Sequence, residues 1–126
     1  MPTAGGQAWP TELAYHQAVT GSSVANTLVA ALASQNGDVA LPLLEQDQFN
    51  EQCRAKLVSA LQTVRDHAHA LGLTGTYLSG AGPTVTTLGD YGQLATLQEQ
   101  LSQDTTLTGK LFLLPMDATG VKGQKC

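Results

Sequence analysis

The chain has 126 residues, of which 42% are hydrophobic and only 13% charged, with a formal net charge of -4. That length suits one domain, and the charged share is well below the roughly 25% of an average soluble protein, so Gln, Thr, Ser and Asn must supply much of the surface. Recurrent apolar residues with so small a net charge exclude disorder. The basic residues Arg54, Lys56, Arg65, Lys110, Lys122 and Lys125 are scattered, which argues against a nucleic-acid partner. No apolar run approaches the roughly 20 residues that span a bilayer, and the amino terminus lacks the basic-then-apolar order of a signal peptide, so no membrane contact and a cytoplasmic location are expected.

Residues 1–10 carry two prolines and the small run Ala4-Gly5-Gly6, and read as a linker or as the remnant of a preceding domain. From Ser22 or Ser23 as N-cap, Val24, Leu28 and Leu32 with Ala25 and Val29 beside them predict a first helix ending near Asn36-Gly37. Gly37 would take the left-handed conformation past its end, and Asp38 would cap a second helix in which Pro42 falls early. A long amphipathic helix follows on Leu57, Ala60, Leu61, Val64, Ala68 and Leu71, terminated by Gly72. Gly75-Thr76-Tyr77-Leu78 and Thr84-Val85-Thr86-Thr87-Leu88 read as antiparallel strands joined by a glycine-rich turn.

Asp90 caps a further helix that buries Leu94, Leu97 and Leu101. Leu111-Phe112-Leu113-Leu114, ended by Pro115, reads as a third strand. A fourth would have to come from Leu13-Ala14-Tyr15. The pattern predicts an α+β fold, a ferredoxin-like sandwich with an antiparallel sheet and helices packed on one face. Residues 11–115 form the domain, and 116–126 a flexible tail. Cys53, inside a predicted helix, and Cys126, the last residue, form neither a CxxC pair nor a disulfide framework, and both read as free thiols.

Few residues carry chemistry by themselves. Gly80 and Gly82 flank Ala81 in a turn whose backbone N–H groups could face an anion, or which could simply connect two strands. Arg54 sits among Glu45, Asp47 and Glu51, where a solvated ion-pair network is its ordinary fate. A guanidinium is nonetheless well shaped to grip a carboxylate. His67 and His69, two apart on a helix, diverge by roughly 200° and cannot share a metal on one face, so no metal site is expected there. No P-loop or dinucleotide-binding signature is present.

Two segments point to a family. Val19 to Leu32, V-T-G-S-S-V-A-N-T-L-V-A-A-L, resembles the first helix of the carboxy-terminal domain of homoserine kinases. Leu78-Ser79-Gly80-Ala81-Gly82-Pro83-Thr84 resembles the third signature motif of the wider GHMP small-molecule kinases. The likeness continues through Gly37-Asp38, Asp47, Glu51 and Arg54, and covers roughly residues 10–114. It implies that Arg54 holds the carboxylate of L-homoserine, and that the turn formed by Ser79, Gly80, Ala81 and Gly82 supports the nucleotide loop. It also implies that ATP and Mg bind mainly to an amino-terminal domain absent here, so that this part alone is inactive and holds no catalytic residue.

One departure stands out: Gln7 occupies a position where the family usually carries a second substrate-contacting arginine. The implied reaction is phosphorylation of L-homoserine in threonine biosynthesis. The alternatives are another GHMP-type kinase, or a non-catalytic domain that binds an amino acid or a protein partner. A glycine- and serine-rich phosphate loop encoded upstream would favour the kinase. A homodimer is compatible with a sheet of this kind.

Overall fold

The structure, a computed structural model, describes residues 12–80, 82–120 and 123. Helix α1 spans Tyr15–Ala33, beginning well before the predicted Ser22 or Ser23 cap. Its first turn is already closed by Gln17 N–H and Ala18 N–H donating to Ala14 O at 2.9 and 3.1 Å. The strand expected at Leu13-Ala14-Tyr15 is therefore overturned, since Tyr15 is the first helical residue and is 86% exposed. The face turned inward runs through Gly21, Val24, Leu28 and Ala31, whereas Val29 and Leu32 point outward. A mid-helix glycine costs about 1 kcal/mol relative to alanine, and here packing explains it: a Cβ at Gly21 would lie 2.5 Å from Phe49 Cε2.

The turn between the first two helices also differs from expectation. Gln35 takes the left-handed conformation with φ 57°, not Gly37, which is the first residue of α2, Gly37–Leu43. Asn36 caps α2 in place of Asp38, its Oδ1 accepting Val39 N–H at 3.3 Å. Pro42 lies in the last turn, not the first, and the chain unwinds behind it through shorter-range bonds such as Glu45 N–H to Pro42 O at 3.3 Å.

Helix α3, Glu51–Arg54, runs into a 3-10 turn at Ala55–Leu57, and α4 follows at Ala60–Ala70. Leu57, placed by its spacing on the apolar face of the long helix, is in that 3-10 turn and 57% exposed; Val58 is buried instead. Gly72, at φ 80°, ends α4 as predicted, with Leu73 N–H returning to Ala68 O at 2.9 Å.

Strands β1, Gly75–Leu78, and β2, Val85–Leu88, pair antiparallel with Thr76 opposite Thr87 and Leu78 opposite Val85. Asp90 caps α5, Tyr91–Gln103, by accepting Gly92 N–H at 3.0 Å. Ala68, Leu73, Leu97 and Leu101 form the core where α4 meets α5, with Val64, Leu71, Leu94 and Leu107 packed around it. Helix α4 also packs on both strands, and α2 touches β1. The result is an α+β fold whose sheet has two strands among the described residues.

Among the described residues the predicted third strand is not formed. Leu111, Phe112 and Leu114 are 41%, 74% and 75% exposed, in a segment without strand pairing among the described residues. An apolar run has the composition of a strand but becomes one only where a ladder partner receives it.

Candidate functional site

The glycine turn sits at the tip of the hairpin. Ser79 N–H donates to Thr84 O at 2.9 Å and closes its base. Ser79, Gly80 and Gly82 are exposed, and Gly80 has φ 67°, a left-handed conformation that side chains other than glycine rarely adopt. Ala81 lies outside the described residues.

Arg54 reaches this turn from α3. It donates from one terminal nitrogen, Nη1, to Gly80 O, and from the other, Nη2, to Gly82 O at 2.9 Å. The expectation of a solvated arginine is overturned, because Arg54 is only 5% exposed. Its position follows from the short helix beneath it. Asp47 Oδ1 accepts Phe49 N–H at 2.8 Å and Asn50 N–H at 3.1 Å, and Asp47 Oδ2 accepts Glu51 N–H at 3.2 Å, so three amide donors at the start of α3 are satisfied by one carboxylate.

The neighbouring acids serve a different cation. Arg65 Nη2 donates to Glu51 Oε1 at 2.7 Å and to Thr76 O at 2.6 Å. Its Nε, buried, lies 3.5 Å from Glu45 Oε2, an ion-pair distance without hydrogen-bond alignment. Glu45 Oε1 accepts Thr76 N–H at 2.9 Å, and Glu51 Oε2 accepts Leu78 N–H at 3.4 Å. The outward Thr76 N–H, Thr76 C=O and Leu78 N–H of β1 are thus met in sequence by Glu45, Arg65 and Glu51, and two carbonyls of the turn by Arg54. Sequence reasoning missed Arg65 and the roles of Glu45 and Glu51. The available signal was charge at positions 45, 51, 54 and 65 ahead of a short strand, but charge alone does not assign partners.

His67 and His69 diverge as their spacing requires. His67 Nε2 lies 2.9 Å from Asp104 Oδ2, and His69 Nε2 lies 2.7 Å from Glu45 Oε2. Asp104 is held down to a pKa of about 2, chiefly by the Thr106 hydroxyl at 2.6 Å, then by His67 and the Thr106 amide. Cys53, beside Arg54 in α3, is a half-buried free thiol.

Chemically the site offers a buried cation that turns two carbonyls of an exposed loop inward. The outer face of the loop is thereby relieved of two negative dipole ends, which suits it to an anionic neighbour. Among the described residues no three His, Cys, Asp or Glu side chains gather as a metal would need, and Glu45 and Glu51 are committed to Arg65 and to backbone amides. No described helix is long and apolar enough to cross a membrane.

The family model for the C-terminal domain of GHMP kinases matches residues 28–105, a stretch that includes Arg54, the hairpin and its glycine turn. The chain belongs to that family. It is similar to a homoserine kinase of Lactiplantibacillus plantarum, at 89% identity over 125 residues, covering 99% of this chain and 43% of that protein. A homoserine kinase of Lactococcus lactis subsp. cremoris is 44% identical over 116 residues, covering 92% of this chain and 39% of its own length. One from Leuconostoc mesenteroides subsp. mesenteroides is 43% identical over 122 residues, covering 97% and 41%. The chain therefore spans about two-fifths of the length of the curated relatives it matches.

Proposed function

We propose that this chain is the carboxy-terminal domain of a homoserine kinase, an enzyme that moves the γ-phosphoryl group of ATP to the side-chain hydroxyl of L-homoserine. The observation that carries the reading is the likeness to homoserine kinases along nearly the whole chain, at 89% identity with one of them. The reaction places the complete protein in threonine biosynthesis, and we assign it to the cytoplasm. The domain spans residues 11–115, with 1–10 joining it to the rest of the protein.

In this reading Arg54 receives the carboxylate of homoserine. The two terminal nitrogens of Arg54 already donate to Gly80 O and Gly82 O, so in this reading the carboxylate shares the guanidinium with the turn, and it keeps its charge throughout phosphoryl transfer. Ser79, Gly80, Ala81 and Gly82 support the loop that wraps the nucleotide. Phosphoryl transfer depends on positioning and on neutralising phosphate charge, and Mg bound with ATP supplies much of the latter. The donors described here fit a supporting role: a turn with inward carbonyls and no free cluster of carboxylates. ATP and Mg are therefore assigned chiefly to the amino-terminal part of the complete protein, and this chain alone is inactive.

The test is the complete protein incubated with magnesium-ATP and, separately, homoserine, mevalonate and galactose, with the phosphorylated product identified by mass. Phosphohomoserine formed in preference to the other products supports the reading. Turnover of mevalonate or galactose but not homoserine reassigns the protein within the kinase family, and turnover of none removes the kinase reading in favour of a binding domain.

A further inference from the structure

We propose that Arg54 is a positioning residue for the glycine turn, so that the substrate-carboxylate site and the support of the nucleotide loop are one mechanical unit. The inference rests on the kinase reading for its substrates, but its core is geometric. One planar guanidinium bridges the carbonyls of Gly80 and Gly82, two residues apart on an exposed loop. Gly80 stands at φ 67°, a conformation glycine adopts without steric cost but does not prefer over others, so contacts must select it.

The guanidinium is itself held in place from below. Arg54 is 5% exposed, and the amides at the start of its helix are secured by Asp47. In the same turn of helix, Glu51 meets Leu78 N–H, so α3 is registered against the hairpin at Leu78 as well as at Gly80 and Gly82. Displacing Arg54 therefore displaces the turn. Where a carboxylate bound at this guanidinium shifts the turn, linkage makes it and a nucleotide loop resting on the turn change each other's affinity by the same factor.

This separates the proposal from a plain carboxylate grip, which would touch homoserine alone. In the complete enzyme Arg54→Ala raises the KM for ATP as well as for homoserine, each by roughly tenfold or more, the range for losing hydrogen bonds from a charged group. Arg54→Lys recovers part of the homoserine KM, because a point charge remains, but leaves the ATP KM high, because one ammonium cannot reproduce the fork. A second reading needs no substrate: hydrogen exchange of the amides between Leu78 and Thr84 is faster in Arg54→Lys than in the wild type, while exchange in α5 is unchanged.

If homoserine KM rises, ATP KM stays within twofold and the exchange of the turn is unaltered, Arg54 is a substrate ligand only and the proposal is overturned. If the wild type phosphorylates no homoserine, the kinase reading fails, and the exchange measurement still decides whether Arg54 shapes the turn. Should Arg54→Ala not fold, Arg54→Lys carries the comparison.

Discussion

The two edges of the hairpin are chemically unlike. The register places Thr76 and Leu78 of β1 with their main-chain groups facing outward, and Glu45, Arg65 and Glu51 meet them there. Opposite them, Val85 and Thr87 of β2 face outward in the same way, yet among the described residues no hydrogen bond reaches their main-chain N–H or C=O groups. One edge is closed by charged side chains standing in for a strand, and the other has no such cover among the described residues. A two-stranded hairpin is marginal in water, so the closed edge and the packing of α4 supply what a third strand would otherwise add.

The largest effect should come from removing the cation that joins the closed edge. Arg65→Ala leaves buried Glu51, and half-buried Glu45 that still contacts His69 and Thr76 N–H, without their shared cation, and breaking a buried pair in this way costs up to about 3–5 kcal/mol. Chemical denaturation of the variant against the wild type measures it; a loss below about 1 kcal/mol would mean that backbone pairing with β2 alone holds β1.

A smaller and sharper comparison uses proline. Thr76→Pro and Thr87→Pro both remove the contact between the two threonine hydroxyls at 2.9 Å, so that loss cancels between them. Thr76→Pro also deletes the N–H that Glu45 accepts, whereas Thr87→Pro deletes one without an acceptor among the described residues. In this chain the first should be less stable than the second by about 1–3 kcal/mol, the cost of an unsatisfied buried group. Equal midpoints in urea would make the two edges equivalent.

The smallest effect lies away from both edges, at the end of α5. Asp104 has its pKa lowered from 3.8 to about 2 in the folded chain, so its contribution is complete above 3.8 and is lost as pH falls through about 2. Asp104→Asn should flatten the acid limb of stability in that window. An acid limb identical to the wild type, followed by circular dichroism, would assign the acid response to other carboxylates.

Where structure depends on neighbours in sequence, it was legible from sequence. The hairpin, its glycine turn, Gly72 behind α4 and Asp90 ahead of α5 each follow from local turn and cap chemistry. The start of α1 and the cap of α2 were misplaced because Ser, Asn, Asp and Gly compete for the same roles, and packing, such as Phe49 over Gly21, decides among them. The expected strand at Leu111 to Leu114 failed for a different reason, since composition does not specify a ladder partner. Arg54 was singled out, but its partners were not legible: two arginines and three acids between positions 45 and 65 admit several pairings, and only the fold chooses carbonyls for one and carboxylates for the other.

The side chains that secure β1 and its turn come from far back along the chain. Glu45 and Thr76 are 31 residues apart, and Arg54 and Gly80 are 26 apart. Closing such loops must be paid for in entropy before the contacts return anything, so the hairpin can pair early while its tip waits for the helices to dock. We expect the turn to be among the last features to set during folding, with Arg54→Lys speeding unfolding and scarcely slowing folding in stopped-flow experiments. A nascent or partly unfolded chain would then carry the hairpin without a finished tip, and the same bonds that shape the turn would report that folding is complete.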